Sequence, residues 1–235
     1  MSRLLLWDFD GTLAVRPGHW TGVVCEVVDA ERPDLGLTTD RLRPHLQSGF
    51  PWHAPEVVRA PCSADQWWDD LLPVLARALQ RAADLDETES RRLVEGVRAA
   101  YLDATRWQVF DDVRPALWRL RERGWKHLVL SNHVPELSAL IEALGLHDLI
   151  SDVRCSACTG VEKPHPRAFE TVFADFPDAR AGWMIGDSWR ADVLGARGVG
   201  LRAILVRSTH PDAAVQCPTL DHVVGVVDGS GTGDP

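Results

Sequence analysis

Lysine is almost missing from this chain: Lys126 and Lys163 are its only two, within a total of 25 basic against 34 acidic residues and a net charge of −9. No basic run occurs, which argues against nucleic acid and anionic membranes as partners. Long apolar runs are also lacking. Only Met1, Ser2 and Arg3 precede a short apolar segment that ends at Asp8, so neither a signal peptide nor a spanning helix is expected, and the location expected is cytoplasmic. Cysteine is sparse and odd in number, with five residues at 25, 62, 155, 158 and 217, which does not fit a disulfide framework. Cys155 and Cys158 are the only close pair. A zinc site would want a second pair or histidines at ligand spacing, and a thioredoxin-like motif would want a helix immediately after it. Neither pattern is evident, so ordinary thiols are expected. No internal repeat is visible.

What remains is an ordinary globular composition, 45% hydrophobic and 25% charged over 235 residues, enough for one or two domains. The organising stretch is Leu4-Leu5-Leu6-Trp7-Asp8-Phe9-Asp10-Gly11-Thr12-Leu13. A continuous apolar run reads as a strand covered on both faces, as in parallel sheets, where ligands bind at the carboxyl ends of strands. Asp8 and Asp10 sit at such an end. Two carboxylates so close suggest a divalent cation, a split in pKa, or both.

From Ala14 to Gln108 the pattern is helical. Val23, Val24, Val27 and Val28 recur at helical spacing; Thr38, Thr39 and Asp40 offer caps for a short segment through Leu46; Ser63 with Gln66 forms a capping box before Trp67, Trp68, Leu71, Leu72, Leu75 and Leu79. Pro73 is expected to kink that helix, and a last helix is expected over Asp86 to Thr105. From Val109 strands and helices alternate: helix Asp112–Arg123, strand Lys126–Leu130, helix Pro135–Leu144, a short apolar step Ile150–Val153, helix Pro164–Phe176, strand Trp183–Ile185, helix Ala191–Arg197 and strand Leu201–Val206. His222–Val227 is expected as an edge strand and 229–235 as a flexible tail. The fold class is therefore α/β, a Rossmann-like parallel sheet flanked by helices, made of 1–14 plus 109–228, with an α-helical cap inserted over 15–108.

Three more clusters stand at strand ends or helix starts. Ser131-Asn132 follows an apolar strand and could hold a phosphoryl oxygen. Lys163, in Glu162-Lys163-Pro164, precedes a helix, where a cation makes most sense with anions beside it. Gly186-Asp187 follows the Trp183–Ile185 strand, with Asp192 near the next helix start. Taken with Asp8-Phe9-Asp10-Gly11-Thr12-Leu13, this set, in this order, resembles the four motifs of the haloacid dehalogenase superfamily, most of whose members are phosphatases. The resemblance spans Leu4–Leu13 and about Val109–Val206.

The resemblance implies that Asp8 is a nucleophile forming an aspartyl-phosphate and that Asp10 protonates the leaving group and then activates water. It implies Mg²⁺ held by the Asp8 carboxylate, the Asp10 backbone carbonyl and Asp187, with Asp192 behind them, and phosphoryl oxygens bound by Ser131, the Asn132 backbone and Lys163. A small phosphorylated metabolite is the partner implied. Dehalogenases of the superfamily lack an acid at the position of Asp10, and phosphonoacetaldehyde hydrolases need a cap lysine that this insert does not have. A phosphosugar mutase and a non-catalytic binding protein remain as alternatives. Specificity is expected from loops of the insert, with Arg16, His19, Trp20, Trp52 and His53 as candidates and the surface of Arg41, Arg43 and His45 as a second choice.

Overall fold

The computed structural model describes residues 3–229. The chain opens with strand β1 (Arg3–Trp7) and the short β2 (Ala14–Val15), then enters helices α1 (His19–Glu31), α2 (Thr39–Leu42), α3 (Ala64–Ala83), α4 (Glu87–Val94) and α5 (Val97–Leu102). After β3 (Gln108–Val109) follow α6 (Val113–Glu122), β4 (Trp125–Ser131), α7 (Leu137–Ala143), β5 (Asp152–Cys155), α8 (Ser156–Thr159), α9 (Pro166–Asp175) and β6 (Trp183–Gly186). A π-helical turn (Trp189–Leu194) then runs into α10 (Gly195–Gly198), β7 (Arg202–Val206), β8 (Gln216–Cys217) and α11 (Leu220–Gly229). The chain divides into two compact units: one holds residues up to Val15, Pro55–Pro61 and Val109 onward, the other Arg16–Ala54 and Cys62–Gln108.

The first unit is built on a six-stranded sheet in the order β5-β4-β1-β6-β7-β8, every pair parallel. Strand alternation divides its residues between two faces. Leu4, Leu6, Leu128, Leu130 and Met184 meet Ala168, Phe169, Val172 and Phe173 of α9 in one core. Trp7 points the other way and donates its indole N–H to His127 Nδ1 at 3.0 Å, while His127 Nε2 lies 3.0 Å from the Leu117 carbonyl on α6. Burial pushes His127 down to about 4, so the imidazole is neutral and spans strand and helix through both nitrogens. Pro55–Pro61, expected inside the insert, groups with this unit, where Arg59 N–H donates to the Gly160 carbonyl at 2.8 Å.

Several elements differ from expectation, each for a local reason. His222–Val227 is part of a helix rather than an edge strand: Leu220, Val223, Val224 and Val227 bury one face of α11, which packs on α6, and the edge is taken by β8. The segment expected as one helix over Asp86–Thr105 breaks at Gly96, where a side chain would press on Val27 Cγ1 at 3.2 Å. Helix α9 begins at Pro166 instead of Pro164, because His165 supplies the cap, its Nδ1 accepting from Arg167 N–H at 3.1 Å. The expected tail lies outside the described residues except for Gly229, which ends α11. In the second unit the capping box forms as expected, Ser63 Oγ accepting from Gln66 N–H and Gln66 Oε1 from Ser63 N–H, and α3 runs through Pro73. No helix among the described residues is long and apolar enough to cross a membrane.

Candidate active site

Three neighbouring strands, β4, β1 and β6, end together. In register, Trp7 pairs with Val129 and with Ile185, so the residues that follow, Asp8, Ser131 and Asp187, emerge at one edge of the sheet. The backbone then turns sharply: Leu13 and Ala14 N–H groups both donate to the Phe9 carbonyl and Gly11 N–H to the Ala14 carbonyl. Gly11 has φ +81°, and a Cβ there would collide with the Asp187 carboxylate; at Gly186 it would collide with Asp192. Both glycines are thus required by close approach to acids, and Gly11 by the turn as well.

Lys163 is the electrostatic centre. Its side chain is 2% exposed, and Nζ donates to Asp8 Oδ1 at 2.9 Å and to Asp192 Oδ1 at 2.6 Å. Burial alone would lower its pKa, but the Asp192 and Asp8 charges outweigh it and the net shift is upward. Ser131 Oγ donates to the same Asp8 Oδ1 at 2.8 Å, and Ser188 N–H holds Asp192 Oδ2 at 3.0 Å. Asp8, Asp187 and Asp192 each bring a carboxylate oxygen within 4.8 Å of the others. Burial first, and then the charges of Asp8 and Asp192, push Asp187 up to about 8 against the pull of Lys163. Asp192 is raised to about 6 by burial, partly offset by Lys163. The sequence motifs therefore converge in space. The acids form an anionic group richer in charge than the ammonium that balances it.

The sequence model of the haloacid dehalogenase-like hydrolases matches residues 3–200. The chain belongs to this family. The hydrolase is 28% identical to haloacid dehalogenase-like hydrolase domain-containing protein 3 of Bos taurus over 96% of this chain and 94% of that one. It is 32% identical to Phosphatase MT3486 of Mycobacterium tuberculosis over 69% of this chain and 71% of that one. Among solved structures, the HAD-hydrolase YfnB of Bacillus subtilis, bound to magnesium, superposes with a TM-score of 0.73 at 18% identity, covering 97% of this chain and 99% of that chain.

Around these motifs the hydrolase carries a buried polar layer that the sequence reading did not single out. Ser156 Oγ accepts from His133 N–H at 3.2 Å, and burial pushes Glu162 up to about 7 against the pull of Ser156 and the charges of Arg59 and Lys163. The His133 ring stands edge-on to Phe9, centroids 5.4 Å apart, in the field of Asp10 and Asp8, and burial lowers its pKa. The available signal was adjacency: His133 directly follows Ser131-Asn132, and Glu162 directly precedes Lys163.

The insert residues of the hydrolase fare differently. Arg16, expected to meet a leaving group, is 3% exposed; its Nη2 bonds Glu26 at 3.0 Å and the Ala100 carbonyl at 2.9 Å, tying α1 to α5. Trp20 stacks on Tyr101 at 4.3 Å and leans on Phe50 and Trp68, while Trp52 stacks on Phe50 at 4.7 Å. Both tryptophans are half-buried in an aromatic row, whereas His19 and His53 are exposed. Arg41 is likewise engaged, donating to the Ala82 carbonyl at 2.8 Å.

Proposed function

We propose that this hydrolase is a Mg²⁺-dependent phosphatase that cleaves a small phosphorylated metabolite through an aspartyl-phosphate on Asp8. The observation that carries the reading is an Asp8 carboxylate held by both Ser131 and Lys163 through one oxygen, Oδ1, with a second acid, Asp10, two residues on. That second acid favours phosphoryl over halide chemistry, and the Mycobacterium tuberculosis relative is named a phosphatase.

The donor set fits a hard divalent cation. Three carboxylates lie within 4.8 Å of one another, and the upward shift of Asp187 to about 8 marks an excess of negative charge that an oxygen-seeking cation relieves. The Asp8 and Asp187 carboxylates and the Asp10 backbone carbonyl would hold it, with Asp192 fixed behind them by Lys163. When bound, Mg²⁺ offsets the phosphoryl charge so that a carboxylate can approach it.

In the first step an Asp8 oxygen attacks phosphorus, the bond from phosphorus to the ester oxygen breaks, and the Asp10 carboxyl gives its proton to that oxygen. In the second, the Asp10 carboxylate takes a proton from water as its oxygen attacks phosphorus, and Asp8 is released. Ser131 and Lys163 take phosphoryl oxygens, since the donors that reach the nucleophile also reach the group it bonds, and the Asn132 backbone, next along the chain, adds a further donor. Phosphate release from p-nitrophenyl phosphate tests the reading. It should require Mg²⁺ and vanish in Asp8→Asn; turnover that persists at the wild-type rate in that variant, or after EDTA, overturns it.

A further inference from the structure

We infer that Cys155 and Cys158 form an oxidisable dithiol, a disulfide-forming site against the loop that follows Ser131 and Asn132. The sequence pattern shows no helix after Cys155, yet the chain turns there into α8, with Cys155 as its N-cap and Cys158 in the same turn. A Cys-x-x-Cys pair that opens a helix is a spacing in which reactive dithiols occur, and less than one turn separates the two thiols. They lie along one backbone stretch: Cys155 Sγ is 3.0 Å from both the His133 and Val134 carbonyls, and Cys158 Sγ is 3.7 Å from that of Pro135. Cys155 is also the register partner of Ser131 across β4 and β5. Ser156, next in sequence, holds His133 N–H. The pair is thus wired to the loop that carries two proposed phosphoryl donors.

The cysteines differ as attacking and resolving thiols do. Cys158 is exposed and Cys155 buried. The neighbouring Cys155 lowers the Cys158 thiol to about 7 despite burial and the charge of Glu136, and burial raises Cys155 well above the usual thiol range. With a low-molecular-weight disulfide as oxidant, the Cys158 thiolate attacks one of its sulfurs and expels one thiolate. Cys155 then loses its proton, attacks Cys158 Sγ and expels the second. Two electrons pass from the protein dithiol to the oxidant, which leaves as two thiols. The new bond draws Cys155 Sγ off the His133 and Val134 carbonyls, and turnover slows.

The test uses the full chain in glutathione mixtures from fully reduced to mostly oxidised, followed by alkylation and tryptic mass spectrometry. The peptide that starts after Arg154 contains both cysteines. It should become resistant to alkylation and lighter by two hydrogens, reversibly with dithiothreitol, while p-nitrophenyl phosphate turnover falls several-fold and recovers. Cys158→Ser should keep its basal turnover and lose the response. A peptide that stays doubly alkylated, or that stops at a glutathione adduct on Cys158, overturns the site; an equal fall in Cys158→Ser overturns its link to turnover. The mass readout stands whether or not the enzyme proves to be a phosphatase.

Discussion

Asn132 grips the backbone of Lys163 from both sides: its Oδ1 accepts Lys163 N–H at 2.7 Å and its Nδ2 donates to the Lys163 carbonyl at 2.9 Å. The end of β4 and the loop before α9 are therefore joined, and the two donors that meet on Asp8 Oδ1 are fixed relative to each other. Asn132→Ala leaves the Lys163 peptide groups without that partner. We expect kcat to fall by roughly 10- to 100-fold, the scale of a small misplacement of a catalytic group, in a protein with unchanged circular dichroism. Wild-type kinetics in Asn132→Ala would show that Lys163 is placed by something else.

Asp187 gives a pH dependence with a definite sign. Its folded value, about 8, lies above the ordinary carboxyl value of 3.8, so its contribution to stability is complete below the unfolded value and is lost as pH rises through 8. Metal-free protein should melt lower at pH 8 than at pH 6, and Asp187→Asn should lose less over the same interval. Added Mg²⁺ should raise the wild-type Tm more at pH 8, because cation and proton compete for one carboxylate. Equal Mg²⁺ shifts at both pH values would contradict this.

Arg16 should be a stability residue. Removing it strips a partner from Glu26 and from the Ala100 carbonyl and should cost about 2–3 kcal/mol in urea unfolding, below the range for fully buried pairs because Glu26 keeps contact with solvent. The ratio of kcat/KM between a larger phosphate ester and acetyl phosphate should not change in Arg16→Ala. A selective loss on the larger ester at unaltered stability would restore Arg16 to substrate recognition.

The motifs were legible because each apolar strand stops at a polar residue, and strand ends in a parallel sheet converge whatever lies between them. Arg16 was not legible. Its partners lie 10 and 84 residues away, so nothing local separates a buried structural arginine from a solvated one beside a loop. Helix α11 was misread because Val223, Val224, Val226 and Val227 are β-branched and favour strands, and only packing on α6 decides for a helix. The turn into α8 escaped for a similar reason: four residues carry too little periodicity to announce a helix.

Where the phosphoryl group goes decides the mechanism. Asp10→Asn should lose a factor of roughly 10²–10⁴ in rate through the missing proton transfers, which slows water attack and favours accumulation of the covalent species. Wild type and Asp10→Asn, mixed with p-nitrophenyl phosphate and Mg²⁺ in a single turnover and quenched in acid, should yield one phosphoryl group on the peptide that contains Asp8, removable by hydroxylamine and absent from Asp8→Asn. A phosphoryl group on any other residue, or wild-type turnover by Asp8→Asn, would contradict the account.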